Sequence, residues 1–293
     1  MDYLSTIQRR GVKNVREWAK KHFRLPMAEH GFSMLIRVYD GKKSHSVLFD
    51  AGSSPNGVIT NAKRMGINLA EIECIVLSHG HYDHFGGLPA VVKAVNKDNL
   101  PIIAHEGMFK TRGVVNPDGT VRKYPDFPTE EKVKPARYVK TKQPHLIVKD
   151  LILITGEIPR KTSFEKGYAQ HRTFIEGKWQ PDPWIWDDRA LVINIKQKGL
   201  VVLSGCAHAG IINTTLYAQK LTEVKTIHAI LGGFHLAGKE YETRINQTVS
   251  ELKRIKPKLI APSHCTGWRG IYAIAKTMPN AFVWNSVGNL YRL

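Results

Sequence analysis

Four side chains able to bind a metal ion fall within six residues: His79, His81, Asp83 and His84, in the run Ser78-His79-Gly80-His81-Tyr82-Asp83-His84. They follow the apolar run Cys74-Ile75-Val76-Leu77, which reads as a buried strand. A turn at a strand end can aim alternate side chains at one point, which a helix cannot do at this spacing. Two imidazoles suit a borderline metal such as zinc, and the aspartate with the third histidine can serve a second ion. Gly80, Gly86 and Gly87 allow tight folding of the backbone around them.

Three further histidines stand in the same kind of place. His208 lies in Gly205-Cys206-Ala207-His208, His235 in Gly232-Gly233-Phe234-His235, and His264 in Ser263-His264-Cys265-Thr266-Gly267. Each closes an apolar strand-like run, so all three point toward a common rim. The remaining histidines, among them His22, His30, His45, His105, His145, His171 and His228, lack that setting and read as surface or core residues.

The elements that must position these groups are strands followed by strand–helix units, given twice. Runs 33–39 and 46–49 read as a hairpin about Asp40-Gly41, 56–65 as a helix, 88–95 as a helix and 101–104 as a strand. Runs 145–149, 151–155, 190–196, 200–203, 226–231 and 258–261 read as strands. Helices are expected from about 211, over 241–255 and near 271–276, with two short strands at the end. The expected fold is α/β: two mixed sheets packed face to face with outer helices, in one domain spanning 1–293. Two stretches, about 106–144 and 159–188, look like irregular insertions. The first carries Pro117, Pro125, Pro128, Pro135 and Pro144 and many basic residues, and reads as a lid or binding loop.

Bulk composition limits the partners. Forty-three Lys and Arg against twenty-five Asp and Glu give a net charge of +18, which attracts anions. No apolar run approaches the roughly 20 residues needed to span a bilayer, and the basic N-terminal stretch lacks a signal-peptide core, so a cytoplasmic protein is expected. Three scattered cysteines, Cys74, Cys206 and Cys265, make no disulfide framework.

The motif from His79 to His84 resembles that of the metallo-β-lactamase superfamily, whose αββα sandwich carries its metals at one edge. Further segments sharpen the likeness: Glu29-His30-Gly31-Phe32-Ser33, Leu48-Phe49-Asp50-Ala51-Gly52, Thr155-Gly156-Glu157-Ile158-Pro159-Arg160, Asp187-Asp188-x-Ala190-Leu191, Gly-Cys-Ala-His, Gly-Gly-Phe-His-Leu and His-Cys-Thr-Gly. Together they resemble a subgroup of 7,8-dihydropterin-6-yl-methyl-4-(β-D-ribofuranosyl)aminobenzene 5′-phosphate synthases, associated with methanopterin biosynthesis. The resemblance implies His79, His81 and His208 around one metal and Asp83, His84 and His264 around another. Asp50 would orient a ligand histidine. One or two Zn2+ ions are expected, with Mn2+, Fe2+ or Mg2+ as alternatives. Asp83 and His235 would act in catalysis, and Arg160, Asp188 and His235 would contact a phosphorylated small-molecule substrate, with Trp179 to Trp186 stacking on a pterin ring. Hydrolysis of an ester or phosphoester is the alternative. RNA cleavage is a third reading, and a nucleic-acid partner is not expected because no RNA-binding arm is evident. Two departures stand out. Cys206 occupies the place where many superfamily members carry an aspartate bridging both metals, and it is expected to stay off the centre. No strand-like run is found over residues 1–29, where the superfamily opens with a strand.

Overall fold

The computed structural model describes residues 11–15 and 24–293. Most of residues 1–29, where no strand-like run is read, lies outside the described residues, but within the described part Val12–Lys13 pairs antiparallel with Leu290–Tyr291. Among the described residues no helix is long and apolar enough to cross a membrane.

One sheet has five strands in the order Met34–Asp40, Lys43–Phe49, Ile72–Val76, Pro101–Ala104 and Arg137–Lys140. The second has six, in the order Leu259–Ser263, Ile227–Gly233, Gly199–Ser204, Ala190–Ile195, Ile152–Ile154 and His145–Ile147. Both are mixed: the first opens on an antiparallel hairpin and continues parallel, and in the second three parallel strands adjoin antiparallel ones.

The alternation of side chains along each strand builds the layers. Val47, Phe49, Cys74 and Val76 meet Leu191, Val201, Leu203, Ala229 and Leu231 between the sheets. The intervening Leu48 and Ile75 pack outward under Leu88, Val91, Val92 and Val95 of the helix Leu88–Val95. On the far side Leu200, Val202, Ile230 and Ile260 lie under the helices Ile211–Thr222, Ile245–Ile255 and Gly267–Thr277. Strands apolar on both faces are what a sheet buried on both sides requires. The result is helix, sheet, sheet, helix. The helix expected over 241–255 is two helices, Lys239–Glu242 and Ile245–Ile255, and of the two closing strands only Leu290–Tyr291 forms, with a single bridge from Ile260 to Phe282.

The two supposedly irregular insertions are a correction. Arg112–Val115 and Val121–Lys123 from the first pair with His171–Ile175 and Lys178–Pro181 from the second, making a four-stranded antiparallel sheet. Arg137–Lys140 is an edge strand of the five-stranded sheet. His171 pairs with Val114 and Thr173 with Arg112. Partners so far apart in sequence leave no local signature; the five prolines of the first insertion fall outside the strands, and Pro181 stands at the end of one.

This small sheet is bolted to the histidine turn rather than hinged over it. Arg112 Nη1 and Nη2 donate to the two oxygens of Asp187 at 2.9 and 2.5 Å, and Gly80 N donates to Asp187 Oδ2 at 2.8 Å. The pair is almost wholly buried. Its bidentate geometry suits arginine and holds the Asp187 carboxyl well below the usual carboxylate range against the cost of burial. A free lid is therefore not what the first insertion forms. Of its basic residues, Lys123 pairs with Asp126 and Lys134 with Glu131, both exposed, while Arg122 lies over the Tyr124 ring at 5.4 Å.

Candidate metal centre

Five loops reach the same edge of the sandwich, each leaving the carboxyl end of a strand. Lys43–Phe49 delivers Asp50, Ile72–Val76 delivers Ser78 to His84, Gly199–Ser204 delivers Cys206 and His208, Ile227–Gly233 delivers His235, and Leu259–Ser263 delivers His264. In α/β sheets ligands bind at this end of the strands. Asp50, Ala207, His235 and His264 all adopt left-handed backbone, with φ of 62°, 53°, 45° and 50°. Such conformations persist only where surroundings enforce them, and they cluster at functional sites.

Gly205 shows how tightly the loops approach. A Cβ there would lie 2.2 Å from Ser78 Oγ and 2.8 Å from Asp50 Oδ2, so only glycine fits.

His79 is fully buried, with Nδ1 2.9 Å from Ser78 Oγ. Its Nε2 faces two other imidazole nitrogens, His81 Nδ1 at 3.0 Å and His208 Nε2 at 3.1 Å. Burial, then the neighbouring imidazoles, push His79 and His208 well below the usual histidine range, and burial does the same to His81. Neutral imidazoles converging on one point are what a metal requires. In a tetrahedral zinc site with Zn–N of about 2.0–2.1 Å, ligand nitrogens stand roughly 3.3 Å apart, close to these separations.

A second group adjoins the first. Asp83 Oδ2 lies 3.2 Å from His264 Nε2, 3.4 Å from His30 Nε2 and 3.8 Å from His84 Nε2. Asp50 is fully buried; its Oδ1 accepts from Ser78 N at 2.6 Å and its Oδ2 stands 2.7 Å from His84 Nδ1. That contact fixes the ring so that Nε2 faces the centre. Although burial opposes it, the Asp50 carboxylate raises His84 to about 9, so a metal arriving there displaces a proton. Asp83 is held well below the usual carboxylate range by His84 and His264 despite its burial.

Donor atoms within 4.8 Å of one another form the groups His79-Cys206-His208, His84-Cys206-His264, Cys206-His235-Cys265 and His30-Asp83-His264. Further, His81 Nε2, His171 Nε2 and His235 Nδ1 are buried without a hydrogen-bond partner. Buried polar atoms are seldom left so, and nitrogen, sulfur and carboxylate donors of this kind fit a divalent cation.

The six residues expected as ligands thus gather at one place, and His235 joins them with its ring 4.2 Å from that of His208. Two expectations change. Arg160 does not present its guanidinium to the centre: it donates to the carbonyls of Ile158, Trp184 and Ile185, with its carbon 4.8 Å over the Trp186 ring. Asp188 is buried, with Oδ2 accepting from Ala209 N at 2.8 Å, and burial raises its carboxyl to about 7. Asp188 thus holds the loop that carries His208, and Arg160, half-buried, ties residues 158–160 to residues 184–185.

Sequence reasoning also passed over residues that stand at the centre. His171 packs against His81 with ring centroids 5.2 Å apart, and His30 against His264 at 4.8 Å. Burial, then Arg112, lower His171 to about 4. Tyr124 and Tyr168 line the same cluster through His81 and His208. The Glu29-His30-Gly31 segment was a signal for His30; nothing local marked His171. Cys206, expected off the centre, lies within it.

The chain belongs to the metallo-β-lactamase superfamily, whose family model matches residues 27–264, and it is an enzyme of that fold. A relative from Methanocaldococcus jannaschii, 7,8-dihydropterin-6-methyl-4-(β-D-ribofuranosyl)-aminobenzene-5′-phosphate synthase, is 32% identical over 83% of this chain and 82% of its own length. An uncharacterized protein of the same organism is 33% identical over 90% of this chain and 93% of its own. The solved structure of Tm1679, a metal-dependent hydrolase of the β-lactamase superfamily, superposes with a TM-score of 0.73 at 24% identity, covering 90% of this chain and 92% of that one. That likeness concerns the fold.

Proposed function

We propose that this enzyme joins two phosphorylated small molecules, a dihydropterin carrying a methyl diphosphate and a ribofuranosyl-aminobenzene phosphate. A C–N bond forms as the C–O bond to diphosphate breaks, and the attacking nitrogen gives up a proton. The observation that carries this reading is the match to the synthase across most of both chains. His79, His81 and His208 would hold one divalent cation and Asp83, His84 and His264 a second, zinc being the metal that suits this donor set. Bound there, the cations would neutralise charge on the departing diphosphate.

The protein's own groups supply the rest. His235, whose Nδ1 is buried without a hydrogen-bond partner, would take the proton from the attacking nitrogen. Asp83, kept ionised, sets the charge of its half of the centre. A cavity of about 390 Å³ has Lys110, Lys142 and Trp186 in its lining, together with Arg112 and Asp187, whose pair holds Gly80. No histidine ligand of the centre lines it. Glu106, Glu157 and Asp182 line it too, and Lys142 pairs with Glu106, so its charge is mixed; Trp186 suits a flat heterocycle, and the volume falls within the roughly 300–1,000 Å³ of ligand pockets. Of the tryptophans proposed for stacking, Trp186 lines this cavity, whereas Trp179 packs against Phe174. Three free cysteines accord with a cytoplasmic setting.

Metal-reconstituted protein given both substrates should yield the coupled product and one diphosphate for each product formed, identified by mass spectrometry. Diphosphate release that proceeds equally well without the aminobenzene substrate, giving only a hydrolysed pterin, would make the enzyme a hydrolase.

A further inference from the structure

Cys206 is the residue on which the donor groups converge. Its Sγ lies 3.1 Å from His84 Nε2. The same sulfur belongs to three sets of mutually close donors: with His79 and His208, with His84 and His264, and with His235 and Cys265. Among the described residues no other side chain belongs to more than two such sets. A buried cysteine ordinarily behaves as a small apolar residue among apolar neighbours, as Cys74 does between the sheets. Cys206 is equally buried but faces imidazoles from three different loops.

The backbone explains the placement. Ala207 takes left-handed φ, and the turn brings Cys206 and His208 to the same cluster even though they leave an irregular segment. Glycine at 205 lets that turn close on Ser78 and Asp50. Cys265 donates from its sulfur to the Cys206 carbonyl at 3.6 Å, tying the loop that carries His264 to the loop that carries Cys206.

We propose that Cys206, as a thiolate, bridges the two metal positions in the place where many superfamily members carry an aspartate, and so makes the centre selective for thiophilic cations. The inference rests on the ligand reading given under the proposed function. Coordination releases the thiol proton to solvent and leaves the sulfur a ligand to both ions. A soft bridge favours Zn2+, Co2+ or Fe2+ over the oxygen-seeking Mg2+ and Mn2+. An aspartate bridge among the same histidines would keep the same order of preference but with a smaller margin.

The test uses the full chain, stripped of metal and titrated with Zn2+, Co2+ and Mn2+. The readouts are ions bound per chain and the thiolate-to-cobalt charge-transfer absorbance. Wild-type protein and Cys74→Ala should show the absorbance and prefer Zn2+ to Mn2+ by about a hundredfold or more. Cys206→Ser should lose the absorbance and about one ion per chain. Cys206→Asp, which restores an anionic bridge should the serine variant fold poorly, should recover that ion without the absorbance and narrow the preference. An absorbance that survives Cys206→Ser and vanishes in Cys265→Ser would assign the thiolate to Cys265 and overturn the proposal. Full ion content in Cys206→Ser would overturn it as well. His79→Ala separates the two readings: if it too keeps every ion, the histidine assignment itself fails; if it loses metal while Cys206→Ser does not, only the thiolate bridge fails.

Discussion

His79→Ala is expected to lose bound metal and to lower turnover by roughly a thousandfold, the equivalent of about 4 kcal/mol of transition-state stabilisation. His79 Nε2 is the nitrogen that both His81 Nδ1 and His208 Nε2 face, at 3.0 and 3.1 Å, so alanine removes the shared apex of that group. A buried site cannot refill itself with solvent ligands as an exposed one can, and His79 is fully buried. The change should be graded with distance from the ions. Asp50→Asn keeps the shape but weakens the carboxylate contact to His84 Nδ1, and the expected cost is about 10–100-fold in metal affinity. His228→Ala, on the strand Ile227–Gly233 but at the end remote from His235, should keep both metal and turnover. Metal analysis and steady-state rates for the three variants check the series. Full occupancy in His79→Ala would remove the basis for the centre.

Arg189→Met is expected to destabilise the fold by about 3–5 kcal/mol, a large part of the roughly 5–15 kcal/mol that holds a typical domain together. Arg189 is 1% exposed and lies at the start of the six-stranded sheet's strand Ala190–Ile195. Its side chain crosses to the other sheet: Nε donates to Leu77 O at 3.0 Å, Nη2 to Ile103 O at 2.9 Å and Nη1 to Thr141 Oγ1 at 2.9 Å. The guanidinium therefore ties three successive strand ends of the five-stranded sheet to its partner. Burial lowers it to about 10, against the pull of Asp187 and Asp50, and it remains charged at neutral pH.

Exchange of a buried ion pair for apolar residues is often harmless because both charges leave together. Here the partners are two backbone carbonyls and a hydroxyl: Ile103 O keeps the Leu77 N donor at 3.0 Å, but Leu77 O and Thr141 Oγ1 lose the guanidinium, and a buried acceptor left so costs about 1–3 kcal/mol. Lysine should not rescue, since a single ammonium cannot reach three acceptors in a plane. Thermal unfolding of metal-free protein should show a midpoint lower by roughly 5–10 °C. A shift of less than 2 °C would mean that the guanidinium does not bind the sheets together.

The strand ends that carry histidines were legible because each combines a short apolar run with glycine and one ligand, a local pattern. The layers were legible for the same reason: Val47, Phe49 and Leu48 alternate faces as a strand buried on both sides must. What escaped was long-range. His171 reaches His81 only because residues near 112 pair with residues near 173, and no window along the chain contains both. Arg160 invited a phosphate-binding reading by its charge, yet nearby carbonyls take its two terminal nitrogens. Cys206 was expected to face away because two residues on an irregular turn need not face the same way, yet its sulfur lies with the donors of His79 and His208. The left-handed φ at Ala207 accompanies that placement, and backbone conformation at a single non-glycine residue is not written in residue types.

The most direct measurement is a crystal structure of the protein reconstituted with zinc, with anomalous scattering recorded at the zinc edge. Peaks are predicted within bonding distance of His79, His81 and His208 and of Asp83, His84 and His264, with the Cys206 sulfur between them. Anomalous peaks confined to other residues, or a centre without any, would contradict the account.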